Sequence, residues 1–287
     1  MNLNCKHETA SAGKRVALLC AALVVSGLLF LPGKGMAQTV NLNDGGSSAT
    51  VNLTGSNAGM DMWTVNGQDQ LNQQWFWYAI GSSAPQPINN IGLYSYTPSA
   101  NEVIATYQNA QLTLTIDYFL QGGGVGSGTA DITEQISAVN NTGGNLDFHF
   151  YQYSDFNLLG SGANDSVQLF GNAGGPWNFV QQTAGSSGIG EAIVSPSANH
   201  GEAAYAGQTL AELNNGLLPV TLNDNAFAGP GDVTWALQWD RTIAAGGMFD
   251  LTKDKSLFIQ VVPEPSTMAL IALGFGAWGL ARRRQAS

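Results

Sequence analysis

From about residue 50 onward, apolar and polar residues alternate with a period of two, the pattern of a strand with one face on a core. Leu112, Leu114, Ile116 and Tyr118 alternate with Thr113, Thr115 and Asp117. Ala130, Ile132, Glu134, Ile136 and Ala138 share one face of the next run, and Leu146, Phe148 and Phe150 share a face of another. Val233, Trp235, Leu237 and Trp239 follow near the end, then Leu257, Ile259 and Val261. Turn signals separate these runs: Asn66-Gly67, Gly122 to Gly128, Asn140 to Gly144, Gly174-Gly175-Pro176, Gly229-Pro230-Gly231 and Gly246-Gly247. This spacing predicts an all-β fold, an antiparallel β-sandwich of jelly-roll-like type, over residues 38–261. A split near Gly160 is the alternative. One short helix is expected at Gln208 to Leu213, capped by Thr209, and a long irregular loop from Gly185 to Gly207.

The ends depart from this pattern. Lys14 and Arg15 precede an apolar stretch, Val16 to Leu31, and Gly35-Met36-Ala37 supplies small residues at a cleavage site. Residues 1–37 therefore read as a secretory signal peptide cut between Ala37 and Gln38, a retained anchor being the alternative. Cys5 and Cys20 both lie inside it, so a mature chain would have no thiol or disulfide chemistry.

At the other end, residues 262–287 fall into three parts. Pro263-Glu264-Pro265 stops the last strand. An apolar stretch from Met268 to Ala281 follows, which as a helix is about 21 Å long at about 1.5 Å per residue. That is short against a hydrocarbon core of about 30 Å. Arg282, Arg283 and Arg284 then favour the cytoplasmic side. The order of an extended segment, a short span and a basic stop reads as a transient anchor in the inner membrane. It resembles the PEP-CTERM sorting tail of Gram-negative bacteria, with Pro263, Glu264 and Pro265 as the motif and the three arginines as the stop. The resemblance implies recognition by an exosortase, a membrane enzyme with a cysteine nucleophile, after passage through the secretion machinery. It implies tail removal and delivery to the cell surface or beyond, in bacteria that make exopolysaccharide and biofilm. These residues are substrate features and not a catalytic site. The runs Leu146 to Phe156 and Thr234 to Asp240 also resemble the cores of other such proteins, a likeness that implies a fold and no activity.

Charge sharpens the picture. Charged residues are 10% of the chain, far below the usual quarter. Residues 38–264 hold 19 acidic and 3 basic residues, a net of 3 − 19 = −16 against −10 for the whole chain. Such a surface repels nucleic acid and anionic lipid, so no nucleic-acid partner is expected.

Candidate chemistry is sparse. His149 and His200 are 51 residues apart and lack zinc-ligand spacing. No Gly-x-Ser-x-Gly elbow occurs, and the glycines of 122–128 fit no phosphate-binding motif. No cofactor is expected, a structural calcium being the alternative. Oxygen-rich turns at Asn41, Asn43 and Asp44, and at Asn223, Asp224 and Asn225, could hold one or could be ordinary Asx turns. Trp75, Phe76, Trp77 and Tyr78 would place two rings on each side of a strand. The face Asp147, His149, Tyr151, Tyr153 and Asp155 pairs rings with carboxylates, as sugar-binding surfaces do. A strand buried on both faces, with the tyrosine hydroxyls at its rim, is the simpler account. Glu134 interrupts an apolar face. It is either an acid catalyst with a raised pKa or a residue turned outward by a bulge. The reading is a non-enzymatic exported surface or matrix protein associated with exopolysaccharide. A carbohydrate-binding module or a glycan-active enzyme is the alternative.

Overall fold

A computed structural model describes residues 38–56, 58–171 and 176–260. Ala37 and all six residues of the sorting motif lie outside them. Among the described residues, eighteen strands, one α-helix and three single-turn 3-10 helices make up the regular structure. The first nine strands are β1 Thr39–Asp44, β2 Ser47–Asn52, β3 Gly59–Val65, β4 Gln68–Asp69, β5 Leu71–Ile80, β6 Gln86–Pro87, β7 Leu93–Pro98, β8 Glu102–Gln108 and β9 Leu112–Gly122. The next six are β10 Thr129–Asn140, β11 Leu146–Phe156, β12 Asp165–Gly171, β13 Trp177–Ala184, β14 Ser187–Ser195 and β15 His200–Tyr205. Helix α1, Gln208–Leu213, precedes β16 Phe227–Gly231, β17 Val233–Ile243 and β18 Met248–Phe258.

The strands form two sheets, and every pairing is antiparallel. The first runs β1-β2-β3-β5-β11-β17-β15, with β4 on β3 and β6 on β5. The second runs β16-β12-β13-β14-β18-β10-β9-β8-β7. Each sheet is nine-stranded, broader than the halves of an eight-stranded jelly roll.

The alternation read from the sequence places the core. Leu112, Leu114, Ile116 and Tyr118 of β9 and Ile132, Ile136 and Ala138 of β10 are buried. From the other sheet, Phe76 stacks on Phe150 at 5.3 Å and meets Tyr118 at 6.4 Å. Phe156 stacks on Trp235 at 5.3 Å. Each such ring withdrawn from water contributes about 1.5–3 kcal/mol.

Two local expectations need correction. Residues 185–207 are not an irregular loop, because β14 pairs with both β13 and β18, and β15 pairs with β17. Helix α1 has the expected bounds, but Gly207, in the left-handed region at φ 80°, stands at its N-cap. Thr209 is buried and donates its hydroxyl to Glu202 Oε1 at 2.5 Å.

The glycine run after β9 is held in place. Asp44 Oδ2 accepts a hydrogen bond from Gly122 N at 2.8 Å, and Gly126 N donates to Asn66 Oδ1 at 2.9 Å. A Cβ on Gly122 would sit 1.8 Å from the Asp44 carbonyl oxygen, so only glycine lets the two loops approach.

Candidate functional site

Strand β11 is central to the first sheet, and its two faces differ. Phe148, Phe150 and Gln152 point between the sheets, opposite Trp239 and Leu237 of β17. His149, Tyr151, Tyr153 and Asp155 point to the outer face, beside Trp75 and Trp77 of β5. The four-ring run of β5 does divide in two, with Phe76 inward and Trp75 and Trp77 outward.

The outer face is covered across its middle by α1 and the segment after it. Tyr151 Oη donates to the Val220 carbonyl at 2.8 Å, and Trp77 Nε1 donates to Asn214 Oδ1 at 3.0 Å. Leu222 N donates to Gln238 Oε1 at 2.9 Å. Tyr151 is 1% exposed and Tyr153 0%. Trp77 meets Tyr153 edge-on at 6.2 Å. The strand is thus buried on both faces here, and the two tyrosines offer no open ring for a sugar. Asp155 is buried as well. It accepts from Asn72 Nδ2 at 2.9 Å and from Tyr153 Oη at 3.3 Å. Burial, partly offset by Asn72, raises its carboxyl above the usual range.

Polar groups reach solvent on both sides of this cover. On one side an open cleft of about 760 Å³ is lined by Asp61, Asn72, Gln73, Asn89, Asn90, Leu210 and Asn214, with Trp75 and Trp77 among its lining residues. The indoles are nearly covered and are held by Asn89 Oδ1 at 3.2 Å and by Asn214. Amides dominate, so the cleft offers both donors and acceptors without a large charge. Asp61 accepts from Asn52 Nδ2 at 2.6 Å, and burial raises its carboxyl.

On the other side the two histidines, distant in sequence, meet around one carboxylate. His149 lies directly across from Asp240, and His200 across from Gln238. Asp240 Oδ1 is 2.6 Å from His149 Nδ1 and accepts from Gln238 Nε2 at 2.8 Å. Asp240 Oδ2 is 3.7 Å from His200 Nε2, and Asp147 Oδ1 is 3.7 Å from His149 Nε2. His200 Nδ1 is 3.0 Å from Asp224 Oδ2. Asp224 also accepts from Trp177 Nε1 at 3.0 Å and Gly201 N at 3.1 Å. Burial pushes the Asp224 carboxyl up, but these bonds and His200 outweigh it and leave it below the usual range. A carboxylate on Nδ1 fixes the proton there and leaves Nε2 as the acceptor of a neutral ring. Proton transfer is the chemistry such a dyad can support.

The Asx turns serve the protein. Asp224 is engaged as above, Asn223 Oδ1 accepts from Asn225 N at 2.8 Å, and Asn41 Oδ1 accepts from Thr50 Oγ1 at 2.9 Å. Among the described residues, no group of three or more His, Cys, Asp or Glu is placed to hold a metal ion.

Glu134 is not turned outward. Its strand keeps unbroken register with both neighbours, and its side chain is fully buried between the sheets. Lys255 Nζ lies 2.7 Å from Glu134 Oε1 and Lys253 Nζ 2.5 Å from Glu134 Oε2. Glu191 of β14 completes the group, at 3.3 Å from Lys253 Nζ and 3.6 Å from Lys255 Nζ. All four side chains are 0% exposed, so a dissolved glycan cannot reach Glu134. Sequence reasoning missed its partners. The signal was present, since Lys253 and Lys255 are in step with Leu251 and Leu257, and Glu191 with Ile189 and Ile193.

No curated protein matches the chain in sequence. Among solved structures, a protein of Escherichia coli K12 assigned as an aldose 1-epimerase is similar in fold, at TM-score 0.52 and 10% identity over 79% of this chain and 100% of that one. A galactose mutarotase-like protein from Lactobacillus casei ATCC 334 aligns at TM-score 0.49 and 12% identity, over 77% and 100%. The fold is therefore an aldose-epimerase-like β-sandwich. Residues 261–285 match the PEP-CTERM protein-sorting motif, and the chain is thus an exported protein of the exosortase-sorted class.

Proposed function

We propose that this chain is a non-enzymatic protein of the cell surface or extracellular matrix that binds exopolysaccharide in the amide-lined cleft of its first sheet. The observation that carries the reading is the lining itself. Neutral amides beside apolar indole edges suit the hydroxyl groups and ring carbons of a sugar. The fold neighbour's assignment as an aldose 1-epimerase supports a sugar as the kind of ligand. On this reading residues 1–37 are removed after Ala37, Met268 to Ala281 holds the chain briefly in the inner membrane, and exosortase removes the tail. A mature mass that still includes Arg282 to Arg284 would refute the processing. Binding is tested by titrating the purified protein with the producing cell's exopolysaccharide and with neutral oligosaccharides. Gln73→Ala with Asn90→Ala should weaken binding about tenfold, the loss of one or two net hydrogen bonds, with an unchanged melting temperature. Unaltered binding in that variant places the ligand elsewhere, and no binding by the parent protein overturns the proposal.

A second reading rests on the partly exposed His149–Asp240 dyad, which could move a proton on a sugar. Its measure is the rate at which reducing sugars change anomeric form. A rate equal in the parent protein, His149→Gln and buffer dismisses it.

A further inference from the structure

The buried charge group contains a lysine amine seated against a primary amide. Gln152 of β11 and Lys253 of β18 belong to opposite sheets, and Lys253 Nζ is in direct contact with Gln152 Oε1. Two carboxylates flank the pair. Glu134 Oε2 is 2.5 Å from Lys253 Nζ. Glu191 Oε2 accepts from Gln152 Nε2 at 2.6 Å and from Trp235 Nε1 at 3.1 Å. Ser154 Oγ lies 3.0 Å from the same amide nitrogen. Lys255 supplies the second positive charge that balances the two carboxylates. Phe76 lies under the Lys253 amine at 4.8 Å from its ring centre.

We propose that Lys253 and Gln152 are joined by an intramolecular isopeptide bond that ties the two sheets together. A nucleophile, an acyl centre and two proton-transfer groups are held in one dry place, which is what amide exchange requires. Burial, opposed by Glu134 and Glu191 and aided by Lys255, holds the Lys253 ammonium below the usual lysine range. Glu134 takes a proton from that ammonium. The free amine attacks Cδ of Gln152, the Nζ–Cδ bond forms, and the carbonyl oxygen carries the charge of the tetrahedral intermediate. Glu191, beside the departing nitrogen, relays to Nε2 the second proton lost from Nζ. The Cδ–Nε2 bond breaks, and ammonia leaves with the proton first taken by Glu134, as ammonium. Lysine ammonium plus amide gives substituted amide plus ammonium, so atoms and charge balance with no oxidant and no further reactant.

The bond would close a loop of 101 residues. It would constrain the unfolded chain as a disulfide does, in a sequence with no cysteine after Cys20.

The test is the tryptic digest of the exported protein purified from the cells that make it. Expected is a branched peptide holding Gln152 and Lys253, lighter by one ammonia than its two parts, with no cleavage after Lys253. Glu134→Gln should yield the two peptides unlinked. Recovery of unmodified Gln152 and freely cleaved Lys253 from the folded parent protein overturns the proposal, and this arm needs no variant to fold. A linked peptide in Glu134→Gln removes Glu134 from the proton-transfer role.

Discussion

Two acid–base clusters built on opposite sheets behave oppositely because water reaches one and not the other. The inner one pairs Glu134 and Glu191 with Lys253 and Lys255 at full burial, two charges of each sign before any bond to Gln152 forms. The outer one sets His149 and His200 among Asp147, Asp224 and Asp240, with side chains 23% to 64% exposed. In the dry interior each ion depends on its partners, since an unpaired buried charge has no solvent to turn to. At the surface, water screens each contact and can replace it. Titratable side chains therefore set fold stability inside and local chemistry outside.

The strongest way to break this contrast is to remove one inner charge. Glu134→Ala should cost about 3–5 kcal/mol by leaving the lysines uncompensated, read by urea unfolding. Replacing all four charges with apolar residues of similar size should cost far less and could stabilise the fold. A small loss in Glu134→Ala would mean that water enters the interior.

The cover of the outer face is expected to be intermediate. Tyr151→Phe removes one buried hydrogen bond, to the Val220 carbonyl, and should cost about 1 kcal/mol. Hydrogen exchange should rise in residues 214–225 before it rises in β11.

The acid titration separates buried carboxyls with a lysine partner from those without one by sign. Burial raises the carboxyls of Asp155 and Asp165, against hydrogen bonds that lower them. Their folded forms hold protons that the unfolded chain has released. Their contribution is thus full below the ordinary carboxylate range and is lost as pH rises through the raised values. Asp155→Asn should gain stability near neutrality and gain nothing in acid. Glu191 runs the other way. Burial raises its carboxyl, but Lys255 and Lys253 with Gln152 and Trp235 outweigh that and lower it. Its contribution holds above the ordinary range and is lost as pH falls through the lowered value. Melting temperature followed across acid pH in each variant measures both. The smallest effect is expected at the surface, where His149→Gln should change stability by less than about 1 kcal/mol.

Much of this architecture could be read from alternation. The inward faces of β9, β10, β11 and β17 follow from their leucines, isoleucines and aromatics, and α1 falls at the expected residues. Reading failed where polar residues occupy core positions. Glu191 breaks the apolar face of β14, and Gly188 and Gly190 leave two positions of its other face without side chains, so the strand looked like a loop. Lys253 and Lys255 carried no core assignment, because charge is the usual mark of a surface. A period-two pattern records position, and only the partner across the core decides whether a charged side chain can stay there. What covers the outer face was illegible for a different reason. The helix and segment that cover Tyr151 and Tyr153 come some 55 residues later in the chain, and local pattern carries no trace of that distance.

Strand β18 lies between β14 and β10 at the interior of its sheet, in register from Thr129↔Phe258 to Val139↔Met248. The sorting motif begins at 261, just beyond Phe258. A load applied through the C-terminal end of the folded domain would therefore enter a central strand along its length. Antiparallel hydrogen bonds run perpendicular to the strand, so tension would shear both ladders at once and could not peel them one bond at a time. Wherever the exported protein is held by that end, the last strand is the one best placed to resist being pulled out.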